Sequence, residues 1–168
     1  APVTTLYLST SNLPPVVNDD ATGYLDRILI VLTQRTGIAF ELRKLPAARG
    51  LIQADSGVLD GDAARTDINE DQHPHLIRVP EPVMHAVVAG LYRRHDIHVE
   101  HPDDFDAYRV GHVRGWKFVE SLLEGNSRLT VTRTVGQLVD MLYTDRIDIA
   151  VMGVASGRQM ASERGMQN

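Results

Sequence analysis

The stretch FELRKLPAARGLIQADSGVLDGDAART, residues 40–66, decides how this chain is read. Its first five residues, FELRK, predict a short strand. Leu45-Pro46 then breaks it, and a proline at a first helical position gives up only an N–H that would be orphaned there anyway. AARGLIQAD predicts a short helix closed by Gly57, the residue type favoured just past a helix C-terminus. VLDGDA predicts a second strand running into Arg65. Strand, turn, helix and strand thus deliver Arg49 and Arg65 just beyond the carboxyl ends of two neighbouring strands. In an open α/β sheet that edge is where ligands bind.

Upstream, residues 3–9 (VTTLYLS) predict a first strand and residues 10–20 (TSNLPPVVNDD) a turn-rich loop. Thr22-Gly23 opens a helix whose Tyr24, Leu25, Ile28, Leu29 and Leu32 share one stripe, so Tyr24 is expected in the core; Gly37 closes that helix. Downstream, residues 69–75 (NEDQHPH) are a polar excursion, while 76–80 and 83–92 read as extended. The run 93–106 (RRHDIHVEHPDDFD) is so strongly charged that it reads as a boundary.

The pattern then restarts. Residues 108–113 predict a strand, and Gly115-Trp116-Lys117 turns into a helix carrying Phe118, Val119, Leu122 and Leu123. Residues 129–132 form the next strand. Thr134 is a good cap for a helix with Val135, Leu138, Val139 and Leu142 at helical spacing. IDIAVM, residues 147–152, is a last apolar strand, with a further helix beginning near Ala155. Both halves, 3–63 and 108–152, therefore read β-α-β-α-β. Right-handed crossovers place helices on both faces of each sheet. The expectation is two small α/β lobes, 1–91 and 92–168, with strand ends facing a shared cleft.

At 168 residues the chain is enough for one ordinary domain or two small lobes, with apolar content sufficient for a core. A net charge of −5 argues against a nucleic-acid partner. The absence of cysteine removes disulfides, thiolate catalysis and thiolate metal sites. No apolar run approaches the ~18–20 residues of a membrane span. Of 17 basic residues only Lys44 and Lys117 are lysine, so no arginine is notable merely for being one.

GYLDRILIVLTQRTG, LPAARGL, DGDAART, RVGHVRGWKF and RIDIAVM, in that order, resemble the extracytoplasmic solute-binding proteins of polar amino-acid uptake systems. The tract DGDAARTDINEDQHPHLIRVPEPV is similar to a proteobacterial subgroup without a defined ligand. The resemblance implies a two-lobed, type 2 periplasmic-binding-protein-like α/β fold, each lobe a mainly parallel sheet flanked by helices. It also implies a small polar solute, anionic or amino-acid-like, no catalysis and no cofactor. The implied partner is the permease of an ABC transporter or a membrane sensor, and the implied location is the periplasm, with a signal peptide removed ahead of Ala1. Three departures stand out. No Arg follows Glu70 where the family's carboxylate-holding Arg is expected; Gly153 stands where its ammonium-holding Asp is expected; and the chain is C-terminally short of the family's return to lobe one. A sensor module of a signalling receptor, or an enzyme on the same scaffold, are the alternatives.

Eight residues are candidates for the solute. Arg65 offers a guanidinium fork matched to carboxylate or phosphate, unless Asp60 or Asp62 pairs with it inside the lobe. Arg49, in a first helical turn, reaches the same edge or remains a surface charge. Ser11 and Asn12 follow the first strand, in the loop that touches ligand in the resembling family. In lobe two Arg114, Gly115, Trp116 and Lys117 bring backbone N–H groups, a flat apolar wall and cations to a strand end, or else the Trp simply packs. His95, His98 and His101 (HDIHVEH) lack a helical register and read as a solvated loop rather than a metal site. His112 is expected to be packed within its strand. No nucleophile-elbow, phosphate-loop or zinc-protease motif occurs.

Overall fold

A computed structural model describes residues 4–11, 13–65, 68 and 70–165. The chain divides into two compact units, Ala1–His85 and Ala86–Asn168.

In the first unit β1 (Thr5–Thr10), α1 (Tyr24–Thr36), β2 (Ala39–Lys44), α2 (Ala47–Asp55) and β3 (Gly61–Asp62) follow one another. The strands form an all-parallel sheet ordered β2-β1-β3, with Thr5 opposite Ala39 and Ser9 opposite both Arg43 and Asp62. Helix α1 begins at Gly23, whose N–H donates to the Asp26 carboxylate at 2.9 Å. It ends where Gly37 takes a left-handed φ of 72°. Leu25 and Leu29 bury its inner stripe against Val17, with Leu8, Phe40 and Leu42 of the sheet around them. Tyr24 departs from the expectation: it is 52% exposed, because it occupies the first helical position, where its hydroxyl meets the Val83 carbonyl at 3.5 Å. Pro46 is the residue preceding α2 rather than its first member.

β3 is much shorter than VLDGDA suggested. Asp60 still exchanges two bonds with Tyr7, donating its N–H to the carbonyl (2.9 Å) and accepting the Tyr7 N–H on its carboxylate (2.8 Å). A side chain has replaced a ladder carbonyl there, which shortens the strand. Residues 76–80 form no ladder among the described residues, and Ile77 and Val79 are largely exposed.

The second unit contains β4 (Val88–Tyr92), β5 (Val110–Val113), α3 (Lys117–Leu122), β6 (Leu129–Thr132), α4 (Val135–Tyr143), β7 (Ile149–Gly153) and α5 (Val154–Glu163). Its sheet runs β4-β7-β5-β6, with β4 antiparallel to β7 and the other pairings parallel. Val110, Ile149 and Val151 face a core that includes Val119, Leu123, Ile97 and Phe105. The Thr134 hydroxyl caps α4 by accepting the Gln137 N–H at 3.2 Å, and Val135, Leu138, Val139 and Leu142 bury its inner face. His112 is buried, as its place within a strand suggested.

The compact units divide between residues 85 and 86, whereas the sequence suggested 91 and 92. The difference is β4, whose ladder partner β7 lies in the second unit. The charged run 93–106 also folds into that unit. Ile97 and Phe105 enter its core, and Asp104 accepts the Glu100 and His101 N–H groups at 2.8 Å. Among the described residues, no helix is long and apolar enough to cross a membrane.

Candidate functional site

In the first unit, parallel pairing brings the ends of β1 and β3 beside the start of α2. Ser9 is wholly buried, and its hydroxyl donates to Asp62 Oδ2 at 2.8 Å. Arg65 Nη2 donates to the same oxygen at 2.6 Å and to the Ala47 carbonyl, in the first turn of α2, at 3.0 Å. Arg65 lies three residues past the end of β3 and is ion-paired with Asp62. Gly50 makes this packing possible: a Cβ there would stand 3.0 Å from Ser9 Cβ and 3.1 Å from its Oγ. Only 7% of the Asp62 side chain is exposed, and its Oδ1 is buried without a hydrogen-bond partner.

Arg49 is exposed on the first turn of α2, and Ser11 is half-buried just after β1. Asn12 lies outside the described residues.

In the second unit, Gly115 turns the chain from β5 toward α3 with a φ of 87°, a conformation other residues rarely adopt. Its N–H donates to Glu120 Oε1 at 2.7 Å, and Lys117 Nζ lies 3.0 Å from Glu120 Oε2. The anion at this amide is thus a carboxylate of the same chain. Burial raises the Glu120 carboxyl, but the Gly115 N–H and the Lys117 ammonium outweigh it and hold the group below its ordinary value. Trp116, the residue before α3, packs partly buried against the core around Val119 and Phe105. Arg114 is exposed, its N–H given to the Thr132 carbonyl at 2.9 Å. Ser9 and Glu120 were not singled out from the sequence. The available signal for Glu120 was its place three residues after Lys117 in a first helical turn.

A cavity of about 250 Å³ lies in the second unit between β4 and residues 99–105, lined mainly by Val88, Gly90, Phe105, Leu122 and Val151. None of the eight expected residues lines it. Among the described residues, no group of three or more His, Asp or Glu is placed to hold a metal ion.

No protein-family profile matches the chain, and no curated protein matches it. Solved structures do. A histidine kinase sensor domain with similarity to periplasmic binding proteins matches with a TM-score of 0.80 at 18% identity, over 98% of this chain and 73% of the other. An ancestral arginine-binding protein bound to arginine matches at 0.79 and 15% identity, over 96% of this chain and 75% of the other. The VFT2 domain of BvgS from Bordetella pertussis matches at 0.73 and 17%, over 96% and 71%. The chain has the two-lobed α/β fold of type 2 periplasmic binding proteins, each lobe a mainly parallel sheet flanked by helices.

Proposed function

We propose that this protein is an extracytoplasmic receptor for a small polar, amino-acid-like solute, which it delivers to the permease of an ABC transporter. It would bind without chemical turnover. The observation that carries the reading is the likeness to an arginine-bound binding protein over nearly the whole chain. The strand-end groups are of a kind that suits such a solute: guanidinium, ammonium, a positive-φ glycine amide and one indole. Candidates for contact are Ser11, Asn12, Arg49 and Arg65 in the first unit, and Arg114, Gly115, Trp116 and Lys117 in the second.

Titration calorimetry against the amino acids and small carboxylates tests this. Saturable one-to-one binding, weakened at least tenfold by Arg65→Ala, is expected. No saturable binding by any of them overturns the reading.

A second reading, a sensor module that reports the solute to a membrane receptor, is favoured by the match to the histidine kinase sensor domain. Deletion of the gene separates the two. Lost uptake of the radiolabelled solute supports delivery; unchanged uptake with a lost transcriptional response supports sensing.

A further inference from the structure

We propose that the cavity beside β4 is a second ligand site, which takes a small primary amine carrying one ring or a branched aliphatic body. None of the eight strand-end candidates lines it, so its occupancy is independent of the solute proposed above.

Size and lining set the body of the ligand. Val88, Phe105, Leu122 and Val151 give apolar walls around about 250 Å³. An apolar cavity of roughly 150 Å³ already holds benzene, so one ring with a short chain fits here. A Cβ at Gly90 would lie 2.9 Å from Ile149 Cγ2 and 3.5 Å from the Phe105 ring, so glycine leaves both where they are. The wall facing β4 is also pinned. The Asp104 carboxylate accepts the Glu100 and His101 N–H groups, each at 2.8 Å, and the Asn126 side chain donates to the Phe105 carbonyl at 2.8 Å. A wall already held in place removes part of the ordering cost of binding.

Two polar features set the head of the ligand. The first is main chain. β4 is an edge strand; Val154 donates its N–H to the Val87 carbonyl, and Val88 stands opposite Gly153. Antiparallel ladders alternate, so Ala89 and Leu91 bond to β7 while the N–H and C=O of Gly90 point to the open edge. Among the described residues neither group of Gly90 has a partner. The second feature is charge. Glu100, His101 and Pro102 are exposed where the cavity meets solvent. Residues 100–106 set Glu100, Asp103, Asp104 and Asp106 against His101 alone. An ammonium finds acceptors in the Gly90 carbonyl and the Glu100 carboxylate, whereas a carboxylate at the same mouth meets like charge.

Amide NMR of the intact protein, titrated with phenethylamine, phenylacetate and ethylamine, tests the proposal. Saturable shifts centred on Gly90 and Phe105 are expected with phenethylamine. Phenylacetate lacks the ammonium and ethylamine lacks the ring, and each is expected to bind about tenfold more weakly or worse. Glu100→Gln alters an exposed side chain and keeps the fold; it is expected to cut the amine's advantage over phenylacetate about threefold, the scale of an exposed ion pair. Val88→Trp fills the cavity from an edge strand and is expected to abolish phenethylamine binding. A wild type without a saturable Gly90 shift overturns the proposal and needs no variant. So does phenylacetate that binds as tightly as phenethylamine, an unchanged ratio in Glu100→Gln, or a normally melting Val88→Trp that still binds the amine in this region.

Discussion

Arg109 and Asp148 hold each other by main chain and side chain at once. The Asp148 carboxylate accepts the Arg109 N–H at 2.9 Å and two guanidinium bonds at 3.0 and 2.7 Å, while the Asp148 N–H donates to the Arg109 carbonyl at 2.7 Å. The pair fastens the residue before β5 to the residue before β7, and Arg94 adds a third cationic contact at 3.2 Å.

The Arg109 hydrogen bonds outweigh burial and hold the Asp148 carboxyl down to about 2. The folded value lies below the unfolded one, so the stabilisation is present above about pH 4 and lost as pH falls toward 2. Both arginines are about half exposed, so solvent screening reduces the contribution to roughly 1 kcal/mol. Asp148→Asn is expected to lower stability by that amount at pH 7 and by much less at pH 2. Urea denaturation at the two pH values measures it.

Gly23→Ala is expected to destabilise the first unit although φ there is an ordinary −64°. A Cβ would press on the Val16 carbonyl oxygen and lie 2.7 Å from Asp26 Oδ2. Backbone cannot give way as a side chain can, so the cost is about 2 kcal/mol. Thermal melting read by circular dichroism checks it.

Glu120→Gln removes the charged acceptor of the Gly115 N–H and the partner of Lys117. The expected loss is about 1 kcal/mol at pH 7. The wild-type carboxyl is held below its usual value, so the difference between the proteins closes only in strong acid. Parallel acid titrations followed by far-ultraviolet circular dichroism show where the curves converge.

Trp116 is the sole tryptophan and is partly buried beside the second core. A solute that meets it is expected to shift its emission, saturating at the stoichiometry found by calorimetry. Emission that stays constant while calorimetry records binding removes Trp116 from the contact set.

The doubled strand-helix pattern was legible because its helices carry clean apolar stripes, Leu25 and Leu29 in one and Val135, Leu138, Val139 and Leu142 in the other. The allegiance of β4 was not. Val88–Tyr92 is a short run of small and aliphatic residues, and nothing within it says which sheet will accept its hydrogen bonds. The charged run after it misled for a related reason: Ile97 and Phe105 are buried in the core with Val99 packed against it, and their burial depends on partners far along the chain. At the candidate site, the strand-end placement of Arg65 followed from local order alone. Its pairing with Asp62, three residues before it, was one of the alternatives the sequence offered, but the Ser9 hydroxyl on the same carboxylate required the register of β1 against β3, and Glu120 meets Gly115 only once that glycine has turned to positive φ.

The antiparallel seam between β4 and β7 has a consequence for biosynthesis. As the chain leaves the ribosome, the first strand of the second unit emerges early, yet its ladder partner β7 is, among the described residues, the last strand of that unit to follow. Until then its hydrogen-bonding edge and the apolar side of Leu91 lie open, so that interval is when a nascent chain of this sequence is most exposed to proteases and to sticking to its neighbours.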